Sequence, residues 1–134
     1  MKIAVLFGSH RREGKNKEIE EMLIGLNLPH ELDFIRMADT NISGCNHCFG
    51  CGKKTSCVVD DGFNSVLKRL TAADAVFLVV PVYALIPSKV VAMLEKMTVI
   101  WHLNNLSGNE NNPLLGKKLA CLCIAPVLYA NAMI

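Results

Sequence analysis

The sequence predicts an α/β fold, a three-layer sandwich of helices around a parallel sheet of four strands. Three observations carry that reading. Continuous apolar runs of strand length recur along the chain, as strands buried on both faces require. Segments with apolar residues at helical spacing separate them. The resulting order, strand–helix–strand–loop–helix–strand–helix–strand, closes through right-handed crossovers that place helices on both faces.

The first strand is Ile3-Ala4-Val5-Leu6-Phe7. From Lys15 to Leu26, Ile19, Met22, Leu23 and Leu26 form one face of a helix, with Lys17, Glu18, Glu20 and Glu21 opposite. Glu31 to Arg36, with Leu32, Phe34 and Ile35, reads as the second strand. A cysteine-rich loop over 43–61 then interrupts the pattern. Asp60 or Asp61 can cap the next helix, whose Phe63, Val66, Leu67 and Leu70 make its buried stripe. Ala75 to Val80 is the clearest buried strand, and Pro81 ends it. Ser88 is the expected cap of a third helix, in which Val90, Val91, Leu94, Met97 and Trp101 face inward. His102 to Pro113, rich in Asn and Gly, reads as a long loop, and Lys118 to Ala125 is the fourth strand. Cys121 and Cys123, two apart on that strand, share a face and read as small buried hydrophobes without chemistry.

The 134 residues fit one domain spanning 1–134, and 51% hydrophobic with 19% charged composition excludes a disordered chain. A net charge of +2 gives no global field for nucleic acid or a membrane surface. The opening apolar run is too short for a signal peptide or a membrane span, so the expected compartment is the cytoplasm. Thiols there stay reduced, which favours metal or redox chemistry over a disulfide framework.

Ligands of open parallel sheets bind outside the carboxyl ends of the strands, so the residues after each strand matter most. Gly8-Ser9-His10-Arg11-Arg12-Glu13-Gly14-Lys15-Asn16 follows the first strand. Amides at the start of a helix, the Ser9 hydroxyl and a cation from Arg11 or Lys15 would make a phosphate site; the alternative is a solvated basic turn. The loop matches neither the dinucleotide fingerprint nor the Walker lysine pattern. After the third strand, Pro81-Val82-Tyr83-Ala84-Leu85-Ile86-Pro87 could line a flat ring, against the simpler reading of Tyr83 as a core residue.

Four of the six cysteines lie in the loop after the second strand: Cys45, Cys48 and Cys51 in two overlapping Cys-x-x-Cys steps, then Cys57 after five residues. Thiolates at this spacing can converge on one metal centre. A bacterial ferredoxin run has the same first three cysteines, but its fourth follows after three residues and precedes Pro, where this chain has Val58. Gly44, Gly50 and Gly52 suit a loop that wraps a cluster. Three other readings stand beside a cluster: tetrahedral zinc on the four thiolates or on three with His47, free or redox-active thiols, and a structural disulfide.

Gly8-Ser9-x-Arg11-x-x-Gly14, the cysteine loop running into Asp60-Asp61, and Ala73-Asp74-Ala75 leading to Pro81-Val82-Tyr83 occur in one order. Together they resemble the NAD(P)H-dependent FMN reductase and iron–sulfur flavoprotein family, over nearly the whole chain to about Ile124. The resemblance implies a flavodoxin-like fold and an FMN whose phosphate is held by Ser9, Arg11, Gly14 and Asn16. It places the flavin ring against Pro81, Val82, Tyr83, Ala84 and Ile86. It further implies that Cys45, Cys48, Cys51 and Cys57 hold a four-iron four-sulfur cluster, and that electrons pass between a small molecule or redox protein and an acceptor, with NAD(P)H as a candidate donor.

Two departures are visible. Relatives carry Asn followed by Thr or Ser after the Gly14-like glycine, where this chain has Lys15-Asn16; an Asn amide can replace the hydroxyl and Lys15 adds charge. Relatives also show a Lys and an Asp-Arg pair in the third helix, where this chain offers Val91 and Glu95-Lys96. The expected sheet ends at four strands, without the fifth strand and last helix of a flavodoxin-like fold. Its fourth strand is then an apolar edge that a second copy or the apolar tail Pro126–Ile134 should cover. Two other functions remain open, an NAD(P)H-dependent FMN or quinone reductase without a cluster, and a non-catalytic zinc-binding or assembly module.

Overall fold

A computed structural model describes residues 1–52, 54–83, 85–108, 112 and 114–125. Ala84 and the tail 126–134, both part of the sequence reading, lie outside them. The described residues form strands β1 (Lys2–Phe7), β2 (Glu31–Arg36), β3 (Ala75–Pro81) and β4 (Lys118–Ile124), with helices α1 (Lys15–Gly25), α2 (Phe63–Ala72) and α3 (Ser88–Leu106). A short 3-10 turn, Met37–Asp39, follows β2. The sheet is parallel in the order β2-β1-β3-β4, as the alternating pattern requires.

The layers follow from strand alternation. Ala4 and Leu6 point into the larger core with Ile35 of β2, Met37 of the turn, and Phe63, Val66, Leu70, Val90 and Met93 of α2 and α3. Val5, Phe7 and Val79 point the other way, against Ile19 and Leu23 of α1, where Phe7 and Phe34 stack with centroids 6.2 Å apart. Asp74, from the Ala73-Asp74-Ala75 stretch, works at the far end of the sheet from the ligand loops. Its carboxylate accepts the Lys2 N–H at 2.7 Å and its own N–H donates to the Lys2 carbonyl at 2.8 Å, pinning the starts of β1 and β3 together.

The helices depart from the expected stripes. Met22 and Leu26 are exposed, and α1 buries Asn16 instead. In α3, Val91, Leu94 and Trp101 are about half exposed, while Val90, Ala92, Met93, Lys96, Ile100 and Asn104 face inward. The stripe is rotated because Lys96 and Asn104 find partners in the cysteine loop, Asp61 and the Lys54 carbonyl, so polar residues occupy core-facing positions. For the same reason α3 runs on to Leu106 through the expected loop: Asn104 Nδ2 and Ser107 Oγ return hydrogen bonds to the carbonyls of Ile100 and Leu103. Ser88 is not the cap of α3; Pro87 occupies that position and Ser88 Oγ lies 3.3 Å from His10 Nε2.

β4 is exposed from Lys118 to Cys123, with Leu119 at 71%, so its cysteines are not buried hydrophobes. It pairs only with β3 among the described residues. Beside it, an apolar groove of about 270 Å³ runs between Ile3, Leu23, Leu28, Leu32, Phe77 and Leu119.

Candidate functional site

β1 and β3 are neighbours, with Phe7 opposite Val79, so the loops that follow them open at the same end of the sheet. That point, where the chain's strand order reverses, is where doubly wound sheets bind ligands. The Gly8 N–H donates to the Val79 carbonyl at 2.8 Å, and a Cβ on Gly8 would meet Val90 Cγ2 at 2.8 Å. Only glycine lets the first loop lie this close to β3 and the start of α3.

Beyond Gly8, Ser9 Oγ accepts the Arg11 N–H at 3.0 Å and turns the loop. Gly14 caps α1 with φ +97°, a conformation costly for other residues, and its carbonyl accepts the N–H groups of Lys17 and Glu18. The first amides of α1 have no intrahelical acceptor. Asn16, 8% exposed, has a buried Nδ2 with no hydrogen-bond partner. Lys15 pairs with Glu18 at 2.6 Å, whereas the Arg11 guanidinium makes no ion pair among the described residues. An orphaned amide, free helix-start N–H groups and an available guanidinium fit an anionic phosphate.

The loop after β3 is anchored by the Val82 N–H on the Ile124 carbonyl at 2.8 Å. Pro81 is buried and Val82 half-buried, but Tyr83, Leu85 and Ile86 are 59%, 84% and 46% exposed. Tyr83 is thus not a core residue. The loop presents an apolar wall next to the phosphate cradle, the shape a flat aromatic ring needs.

The cysteine loop is closed at its neck by Asp61, whose Oδ2 accepts both the N–H and the hydroxyl of Ser43 at 2.9 Å. The same carboxylate pairs with Lys96, which is 2% exposed and lies 5.7 Å over the Phe63 ring, and it also accepts the Phe63 N–H at the start of α2. Asp61 therefore caps α2 from just outside it, while Gly62, at φ +87°, holds the cap position itself. Burial alone would raise the Asp61 carboxyl; Lys96, Ser43 and Phe63 outweigh it and bring the pKa down to about 2. A depressed carboxylate stabilises the fold above its unfolded pKa of 3.8 and loses that contribution as pH falls through the folded value. Acid unfolding between pH 4 and pH 2 should cost about 2 kcal/mol through this group, and Asp61→Asn should flatten stability over that window when followed by urea denaturation.

Helix α3 holds the rest of the loop. Glu95 accepts the Cys45 N–H at 2.9 Å, Asn104 Nδ2 donates to the Lys54 carbonyl at 3.0 Å, and Ser107 Oγ reaches the Gly52 carbonyl at 3.3 Å. The loop's left-handed turns fall at His47 and Phe49 rather than at its glycines. Gly50 serves close approach instead, since a Cβ there would lie 2.7 Å from Val58 Cγ2. Cys51 is buried, Cys45 and Cys57 half-buried and Cys48 exposed. Burial pushes the Cys51 thiol up, and the neighbouring Cys57, Cys45 and Cys48 raise it further. Among the described residues, however, no three His, Cys, Asp or Glu side chains are arranged to hold a metal ion. The donor chemistry suits an iron–sulfur cluster; the thiols as placed do not assemble a ligand set.

A polar cleft of about 470 Å³ beyond β2 is lined by Arg36, Asp39, Asp60, Asp61 and Arg69. Its cations are engaged, Arg36 with Glu20 and Arg69 with Asp33, so the first loop remains the better phosphate cradle.

A sequence profile described as NADPH-dependent FMN reductase matches residues 1–132. The chain belongs to that family. It is 27% identical over 111 residues to an iron-sulfur flavoprotein of Methanosarcina thermophila, covering 78% of this chain and 56% of the relative. It is 28% identical over 118 residues to an iron-sulfur flavoprotein of Archaeoglobus fulgidus, covering 86% and 54%. The chain thus spans about half the length of the curated relatives it matches. Among solved structures, RosB with bound 8-demethyl-8-formylriboflavin-5'-phosphate aligns with a TM-score of 0.62 at 18% identity, over 93% of this chain and 52% of that one, which establishes the flavodoxin-like fold. Within this FMN reductase family member, no helix among the described residues is long and apolar enough to cross a membrane.

Proposed function

We propose that this chain is an FMN-binding redox module whose first loop holds the flavin phosphate and whose Pro81–Ile86 loop supports the ring. The unpaired buried amide of Asn16, beside Gly14 at the strand-order reversal, carries this reading. Asn16, the start of α1 and Arg11 bind and orient the phosphate; Ser9 shapes the loop; Tyr83 and Ile86 keep water from one face of the ring. FMN, when bound, supplies the hydride and electron chemistry. No side chain of the site needs to act as a general base. NAD(P)H or a redox protein serves as reductant, and a small molecule or redox protein as acceptor.

We propose in addition that Cys45, Cys48, Cys51 and Cys57 form the ligand loop of an iron–sulfur cluster, loading of which requires the thiols to turn toward a common point. Their spacing and the names of the two archaeal relatives support this reading. Anaerobic purification followed by an absorption spectrum and metal analysis tests it. Flavin bands with added broad absorbance that dithionite bleaches, and iron in the protein, are expected. Cys48→Ser should abolish that broad absorbance and leave FMN binding within about twofold of wild type. Full iron content in Cys48→Ser would end the cluster assignment, and stoichiometric zinc in a colourless protein would favour a structural site. The exposed β4 edge is proposed to pair with a second copy, to be checked by light scattering at micromolar concentration; a single-chain mass would contradict it.

A further inference from the structure

Cys121 and Cys123 stand outside the flavin loops and the cysteine loop. Strand alternation puts both on one face of β4, where both are exposed, and their Sγ atoms are 3.8 Å apart. We infer that this pair is a two-thiolate site for a soft, thiophilic metal or metalloid ion. Two sulfurs bound to one tetrahedral zinc at about 2.3 Å would stand roughly 3.8 Å apart, so the pair already has the spacing such an ion imposes. A disulfide fits less well. Positions i and i+2 of a strand have Cα atoms roughly 6.6 Å apart, at the upper limit for a disulfide, whereas a bridging ion needs no backbone movement. Thiolates favour d10 ions over hard cations, and the two exposed side chains stand on a face of β4, not on the backbone edge proposed to pair with a second copy, which leaves the remaining ligand positions open to water.

Phenylarsine oxide is the probe, because its arsenic takes two thiols and no more. The two S–H protons leave with the arsenic-bound oxygen as one water, two As–S bonds replace the As–O bonds, and arsenic keeps its +3 state. The reduced full chain is titrated, the remaining thiols are alkylated, and the peptides are mapped by mass. One equivalent on the peptide carrying Cys121 and Cys123, protected from alkylation, is expected. Cys121→Ser, Cys123→Ser and the double variant should each lose that one equivalent and no more, because either thiol alone cannot chelate. Both side chains are exposed, so circular dichroism and FMN binding should be unchanged. Full alkylation of both thiols at saturating arsenical, or an arsenical stoichiometry unchanged in the single variants, would overturn the site.

Discussion

Lys96→Ala should destabilise the protein by about 3–5 kcal/mol, the cost of leaving a buried carboxylate without its counter-charge. That is a large part of the roughly 5–15 kcal/mol available to a domain of this size. Lys96 is 2% exposed, and Asp61 ties Ser43 at the entry of the cysteine loop to Phe63 at the start of α2. Losing the ammonium should therefore loosen the neck of the loop as well as the α2–α3 contact. Urea denaturation measures the total, and hydrogen exchange should localise the added opening to the Ser43 and Phe63 amides. Lys96→Met with Asp61→Asn should cost less than the sum of the two single changes, since the charge that made each costly is gone. Additive losses would mean that the pair does not work as a unit.

Asn16→Ala should have the opposite profile, weaker flavin binding without a weaker fold. A buried donor with no partner is a cost to the ligand-free protein, so removing it should leave the melting temperature unchanged or raised. If the amide donates to a phosphate, its loss should remove about 1.5–3 kcal/mol of binding, roughly a ten- to hundredfold rise in the FMN Kd. A variant that melts lower and binds FMN as before would show that Asn16 is a packing residue.

β1, β3 and β4 were legible because each is a local apolar run, whereas β2, with Glu31, Asp33 and Arg36, showed only Leu32, Phe34 and Ile35. The buried face of α2 was legible from its helical spacing, since Phe63, Val66, Leu67 and Leu70 are all buried, whereas its cap position fell to Gly62 and not to Asp60 or Asp61. α3 was not, because its inward face is decided by partners far away in sequence. Lys96 looks like a surface residue until Asp61 is brought to it, and Asn104 looks like a helix breaker until the Lys54 carbonyl arrives. A lysine and an asparagine interrupting a helical stripe at 96 and 104 were the available signal. Cys121 and Cys123 were misread for the converse reason. Their strand is apolar, but burial depends on what covers the edge, which composition does not encode. In the loops after β1 and β3, the residue types suited to a phosphate and a ring were legible in the sequence, while the unpaired state of the Asn16 amide and the outward turn of Tyr83 emerged only from the fold.

If the loop from Ser9 to Asn16 recognises the flavin through its phosphate, as proposed, FMN and riboflavin should bind very differently. The two ligands share the ring and differ in the phosphate, so fluorescence titration of the flavin-free chain with each isolates the loop's contribution. FMN should bind about a hundredfold tighter or more, because several charge-assisted hydrogen bonds are lost with the phosphate. Equal affinities for the two flavins would contradict it.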